Sequence, residues 1–247
     1  MKVAAYQAPL LPIGAPRARA IGLIRQQVDR CEAQGVSILC CPEAVLGGLA
    51  DYAARPDEIA LERRELGAAL APLASKTVTT IVGFTEAADG VFYNSAAVVH
   101  RGAVAGIYRK RHPAIRRSIY AAGDWAGVFT VGDVIFGILI CNDSNYPQLA
   151  RDMTARGATV LFVPTNNALP SDRADVVAEA NGVDVALALA HRVAVVRADV
   201  SGRADGLVSY GTTGIVGADG SRRQSVHPFT SEIVVADLSI DAAVSHS

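Results

Sequence analysis

Val134-Ile135-Phe136-Gly137-Ile138-Leu139-Ile140-Cys141, followed by Asn142-Asp143-Ser144-Asn145, is the stretch on which the fold reading turns. Gly137 aside, 134–141 is wholly apolar and shows no alternation, as in a strand covered on both faces. Residues 36–41, Ser37 aside, form a second such run, and 2–7, 77–84, 159–163 and 193–200 read as further strands. Segments of helical period lie between them. In 17–34 the apolar Ile21, Ile24, Val28 and Cys31 recur at helical spacing, and Gly35 supplies a stop. A helix is predicted over 56–75 with Leu61, Leu66, Leu70 and Leu73 as its stripe, another over 148–156, and a third capped by Ser171 and running to about 190. Residues 92–100 and 103–108 make a hairpin across Arg101-Gly102, and 214–216 and 231–238 close the pattern. Strands alternate with helices from end to end, which argues for α/β layers.

The 247 residues are 51 % hydrophobic and 19 % charged, enough apolar material for a sizeable core. No linker or repeat divides them, so a single domain over 1–247 is expected. A net charge of −1 gives no field for nucleic acid, and no stretch reaches transmembrane length. Met1 to Gln7 reads as a first strand and not as a signal peptide. Cys31, Cys40, Cys41 and Cys141 have no zinc spacing, and a reduced, cytoplasmic setting is expected.

Three chemically active residues stand where apolar runs end. Glu43 follows 36–41, Lys110 follows 103–108, and Cys141 closes 134–140. In open α/β sheets, sites form at the carboxyl ends of strands, so an acid, a base and a thiol can meet at one edge. Cys141 would be the nucleophile, weak until its proton is removed. Glu43 would take that proton and later deliver one to a leaving amine. Lys110 would stabilise the thiolate and the oxyanion, and the backbone N–H of Asn142 is a candidate second oxyanion donor. This chemistry requires no metal or cofactor. Taken singly, each residue has a plainer reading: a small buried hydrophobe, a helix cap or surface acid, a solvated lysine.

The surrounding segments decide between these readings. Cys41-Pro42-Glu43-Ala44, Tyr108-Arg109-Lys110-Arg111-His112-Pro113 and Gly137 to Pro147 resemble, in order and in separation, the three signature segments of the nitrilase superfamily, the carbon–nitrogen hydrolases. Val3 to Pro9, Val163-Pro164-Thr165-Asn166-Asn167 and Gly211-Thr212-Thr213-Gly214-Ile215 extend the likeness over essentially the whole chain. The resemblance implies a four-layer αββα sandwich, a homodimer or larger homo-oligomer, and the roles given above for Glu43, Lys110 and Cys141. It also makes Asn166 and Tyr146 candidates for substrate contact. The substrate it implies is a small amide-type molecule, cleaved through a thioester.

The chain departs from the family pattern at several places, two of which bear on the chemistry. Many relatives carry a second glutamate between the lysine and the cysteine. Here that interval holds no Glu, its acids being Asp124 and Asp133, and Ser118 or Tyr120 is expected in the space. Asn142-Asp143 follows the cysteine where nitrilases usually show Trp-Glu, which favours amide or carbamoyl substrates over nitriles. Arg116 and Arg117 are candidates for contact with an anionic substrate group. Two other readings stay open: a catalytically idle relative that binds a small ligand or protein partner, and a nitrilase acting on nitriles.

Overall fold

The computed structural model describes residues 1–115, 117–172 and 180–238. β1 (Lys2–Pro9) shows how the layers arise. Its side chains alternate, Val3 and Ala5 entering one apolar cluster and Ala4, Tyr6 and Ala8 another on the opposite face. α1 (Arg17–Gln34) lays Ile21, Ile24, Val28 and Cys31 onto that second cluster. It stops at Gly35, whose φ of +67° is left-handed and whose N–H turns back onto the Cys31 and Glu32 carbonyls. β2 (Ile38–Cys40) then returns parallel to β1.

The helix predicted over 56–75 is interrupted. It divides into α2 (Pro56–Ile59), a short β3 (Leu61–Glu62) and α3 (Arg63–Leu70). Leu61 pairs with Glu86 instead of completing a helical turn, and Glu62 and Glu65 form a capping box that starts α3 afresh. The apolar stripe survives, since Leu61, Leu66, Leu70 and Leu73 all reach the same cluster. β4 (Thr79–Ala88), β5 (Val91–His100) and β6 (Ala103–Arg109) form an antiparallel meander, with β7 (Tyr120–Ala121) beside β5.

The second half repeats the scheme. β8 (Val128–Val131) pairs with β9 (Val134–Ile138), α4 (Pro147–Ala155) leads to β10 (Val160–Pro164), and a short β11 (Leu169–Pro170) follows. The helix expected to start at Ser171 adjoins 173–179, outside the described residues, and α5 (Ala180–His191) leads into β12 (Ala194–Ala198). The strand predicted over 193–200 breaks at Asp199. Beyond it β13 (Val200–Ala204) crosses to the first sheet and pairs with β14 (Leu207–Ser209). β15 (Gly214–Val216), β16 (Arg222–Ser225) and β17 (Glu232–Asp237) complete the chain, β17 pairing antiparallel with β1.

Among the described residues the larger sheet runs β11-β14-β13-β1-β2-β4-β5-β6, with β17, β3 and β7 attached, and the smaller runs β16-β15-β12-β10-β9-β8. One cluster joins their facing sides: Val3, Ile38, Ile81 and Tyr108 from the first sheet meet Phe136, Ile138, Phe162 and Val196 from the second. α1 and α3 cover the outer face of the first sheet, and α4 and α5 cover that of the second through Leu149, Met153, Leu187 and Ala188. The fold is therefore the expected four-layer αββα sandwich. Each large side chain so buried contributes roughly 1.5–3 kcal/mol.

Candidate active site

Strand direction brings the three candidate residues together. β4 is parallel to β2, β5 reverses and β6 reverses again, so β6 ends on the same edge as β2. β9 and β10 are parallel within the second sheet. Glu43 lies three residues past β2, Lys110 is the residue after β6, and Cys141 lies three past β9. The apolar run of 134–141 outlasts its strand, because Cys141 opens a 3-10 turn, Cys141–Asn145, at φ +47°. A left-handed backbone is costly for a residue with a Cβ and persists only where the surroundings hold it, a pattern concentrated at functional sites. Here Ser144 Oγ donates to the Cys141 carbonyl at 2.8 Å, and the Asp143 carboxylate accepts from Ile140 N, Tyr108 Oη and His112 N.

The Glu43 turn is built against Gly83 of β4. A Cβ placed there would lie 2.3 Å from the Pro42 carbonyl oxygen and 2.5 Å from Ala44 N. Gly83→Ala is therefore expected to push the turn away, lowering stability by about 1–3 kcal/mol and displacing Glu43. A denaturant melt read beside an activity assay checks both, and a variant equal to wild type in both would show that the turn can yield without harm.

Glu43 is 1 % exposed and every oxygen is engaged. Oε1 accepts from Lys110 Nζ at 2.6 Å and from Asn94 Nδ2 at 2.7 Å, and Oε2 accepts from Asn166 N at 2.8 Å. Burial pulls the Lys110 ammonium down, but the Glu43 carboxylate, with smaller contributions from Cys141 and Asp143, holds it above the ordinary lysine range. Burial pushes the Cys141 thiol up to about 12; Glu43 adds to the rise, and Lys110 and Arg197 oppose it. At neutral pH the sulfur is therefore a thiol that needs a base. Cys31, Cys40 and Cys41 are fully buried, whereas Cys141 is partly open to a cavity of about 330 Å³. Glu43, Lys110 and Asn142 line the same cavity, so a carbonyl compound entering it meets a thiol, a carboxylate and an ammonium together.

A protein-family model for carbon–nitrogen hydrolases matches residues 2–245. The chain belongs to the carbon–nitrogen hydrolase family. Its sequence is 30 % identical to a hydrolase encoded in the pqqF 5′ region of Pseudomonas protegens, over 90 % of this chain and 77 % of that one. It is 28 % identical to the glutamine-dependent NAD(+) synthetase of Xylella fastidiosa over 95 % of this chain, and spans 43 % of that protein's length. An amidase of the nitrilase superfamily from Nesterenkonia AN1 superposes with a TM-score of 0.81 at 21 % identity, covering 96 % of this chain and 90 % of that one.

Within this member of the family the remaining candidates separate. Asn142 lines the cavity, its side chain tied to the His112 carbonyl. Asn166 also lines it, but its backbone N–H holds Glu43. Tyr146 is not among the described lining residues: its ring stacks on His112 at 3.5 Å between centroids. Arg117 is exposed and outside the lining, and Arg116 lies outside the described residues. Ser118 and Tyr120 both line the cavity.

Sequence reading missed several supports. Asn94, inside a strand of ordinary pattern, donates to Glu43. Asn167 faces the Cys141 sulfur at 3.9 Å and is itself held by Asp199. Arg197, 2 % exposed, pairs with Asp184 and donates to Ser144 Oγ and Thr165 Oγ1. A charged residue inside an apolar strand run, as Arg197 is in 193–200, was the available signal. Among the described residues no group of three His, Cys, Asp or Glu stands together as metal ligands.

Proposed function

We propose that the protein hydrolyses the C–N bond of a small amide or carbamoyl compound, with Cys141 as nucleophile, Glu43 as general base and acid, and Lys110 as oxyanion stabiliser. The observation that carries this is the buried Lys110–Glu43 contact of 2.6 Å beside the partly open thiol. Cys141 Sγ attacks the carbonyl carbon while its proton passes to Glu43. Lys110 has donors beyond the one given to Glu43, and with the Asn142 backbone N–H it steadies the negative oxygen. Collapse breaks the C–N bond, Glu43 returns the proton to the departing nitrogen, and a thioester remains. Water then attacks with Glu43 again taking a proton, and the sulfur leaves as the thiol. The products are ammonia or an amine and the acid.

The same reading takes the chain as one hydrolase domain that is cytoplasmic and assembles as a homodimer or larger homo-oligomer. The test is ammonia release from a panel of small amides, carbamoyl compounds, ω-amides and nitriles, run beside Cys141→Ala. Release from amides or carbamoyl compounds that depends on Cys141 is expected. Release only from nitriles, or equal release by the variant, overturns the reading.

A further inference from the structure

The ion pairs at the cavity leave one acid over once Asp184, which lies outside the lining, is counted as the partner of Arg197. Among the described residues the charged groups of the lining are Glu43, Asp51, Lys110 and Arg197. Lys110 is paired with Glu43, and Arg197 with Asp184 behind the wall at 2.5 Å. Asp51 has no ion-pair partner among the described residues. It sits in a short 3-10 turn, Ala50–Tyr52, where Oδ2 accepts from Ser118 Oγ at 3.0 Å and Oδ1 from Ile119 N at 2.9 Å. A carboxylate offers about four acceptor positions, so two neutral donors fix its direction and leave capacity for a ligand. The turn is itself anchored, since Ala50 N donates to Tyr120 Oη at 2.7 Å and that hydroxyl meets Thr85 Oγ1. Leu49, Pro113 and Ile115 line the cavity around this acid, and apolar walls strengthen the field of a charge held between them.

We propose that Asp51 is a specificity-determining residue that selects amides whose far end carries a positive charge, such as a primary ammonium. The proposal rests on the amide-hydrolase reading above. It runs opposite to the expectation that Arg116 and Arg117 recruit an anion: Arg117 is outside the lining, while a fixed carboxylate with no ion-pair partner among the described residues is within it. An anionic tail would meet repulsion there, a neutral tail would gain little, and an ammonium would supply both the missing charge and donors for the free acceptor positions.

The test compares three aliphatic amides of equal chain length with ammonium, methyl and carboxylate termini, on wild type, Asp51→Asn and Ser118→Ala. Wild type is expected to favour the ammonium amide over the methyl amide by at least tenfold in kcat/KM. Asp51→Asn should reduce that ratio at least tenfold, while Ser118→Ala, which loosens the pin but keeps the charge, should leave the preference in place. A wild-type preference for the methyl or carboxylate amide overturns the proposal. So does loss of the preference in Ser118→Ala to the same extent as in Asp51→Asn, which would make Asp51 a loop anchor. Rates of Cys141 alkylation by haloacetamides with ammonium or methyl tails separate this from the hydrolase reading. If no amide turns over but the tail preference in alkylation persists and falls in Asp51→Asn, the catalytic reading fails and the charge selection stands. Equal alkylation rates for both tails overturn the selection whether or not amides are hydrolysed.

Discussion

Glu43→Gln is expected to lose amide turnover by about 10²–10⁴-fold while Cys141 stays open to alkylation. The two reactions ask different things of Glu43. Amide cleavage needs a proton delivered to nitrogen, which a glutamine cannot supply. Displacement of halide from a haloacetamide needs no such proton, only a thiolate. The carboxylate is one of the groups that push the Cys141 thiol up, and Lys110 opposes it. Replacing the carboxylate by an amide removes the first influence and leaves Lys110 with its partner's charge gone, so the thiol pKa falls and alkylation proceeds at least as fast as in wild type. Cys141→Ala, by contrast, loses both reactions. A pair of assays on each variant, ammonia release and mass-spectrometric labelling of Cys141, reads this directly. A Glu43→Gln protein that melts like wild type and keeps wild-type amide turnover would remove Glu43 from the acid–base role.

The largest stability effect is expected at Arg197. Its guanidinium lies against Asp184 at 2.7 and 2.5 Å, with both residues under 4 % exposed. Burial lowers the arginine, but the aspartate outweighs it and keeps the charge fully on. Removing one member of such a pair leaves the other's charge buried alone, a loss of about 3–5 kcal/mol. Arg197→Met should therefore show that loss in urea denaturation, and Arg197→Met with Asp184→Leu should recover most of it, since an apolar pair of like volume carries no desolvation penalty. Additive losses in the double variant would mean that the two residues do not interact. Catalysis is expected to suffer even in the recovered protein. Arg197 Nη2 reaches Ser144 Oγ, which holds the Cys141 carbonyl, and Nη1 reaches Thr165, whose carbonyl accepts from Glu43 N.

The reading of 56–75 as one helix shows how far periodicity carries. Four leucines at helical spacing correctly marked the buried face, but Leu61 satisfies the same burial from a two-residue strand on β4. Apolar spacing reports which side chains seek the core, and hydrogen-bond partners far along the chain decide what backbone delivers them. The break at Asp199 has the same cause. The charged Asp199 marks the place in the sequence, but partners far along the chain make it a break: its carboxylate accepts from Asn167 N and Thr212 N as well as Val200 N, and its own N–H goes to Thr213 Oγ1.

What the sequence determined by itself was the layer type and the three residues at strand ends, because continuous apolar runs, helical stripes and polar interruptions are local properties of the chain. Contacts between distant segments are not among them, as the stacking of the Tyr146 ring on His112 illustrates. Tertiary structure alone decided that Asn94 and Asn166 hold Glu43, that Arg197 ties two loops together, and that Asp51 lines the cavity with no ion-pair partner among the described residues. These hydrogen bonds join residues separated by 32 to 123 positions, and no spacing rule along one strand or helix contains them.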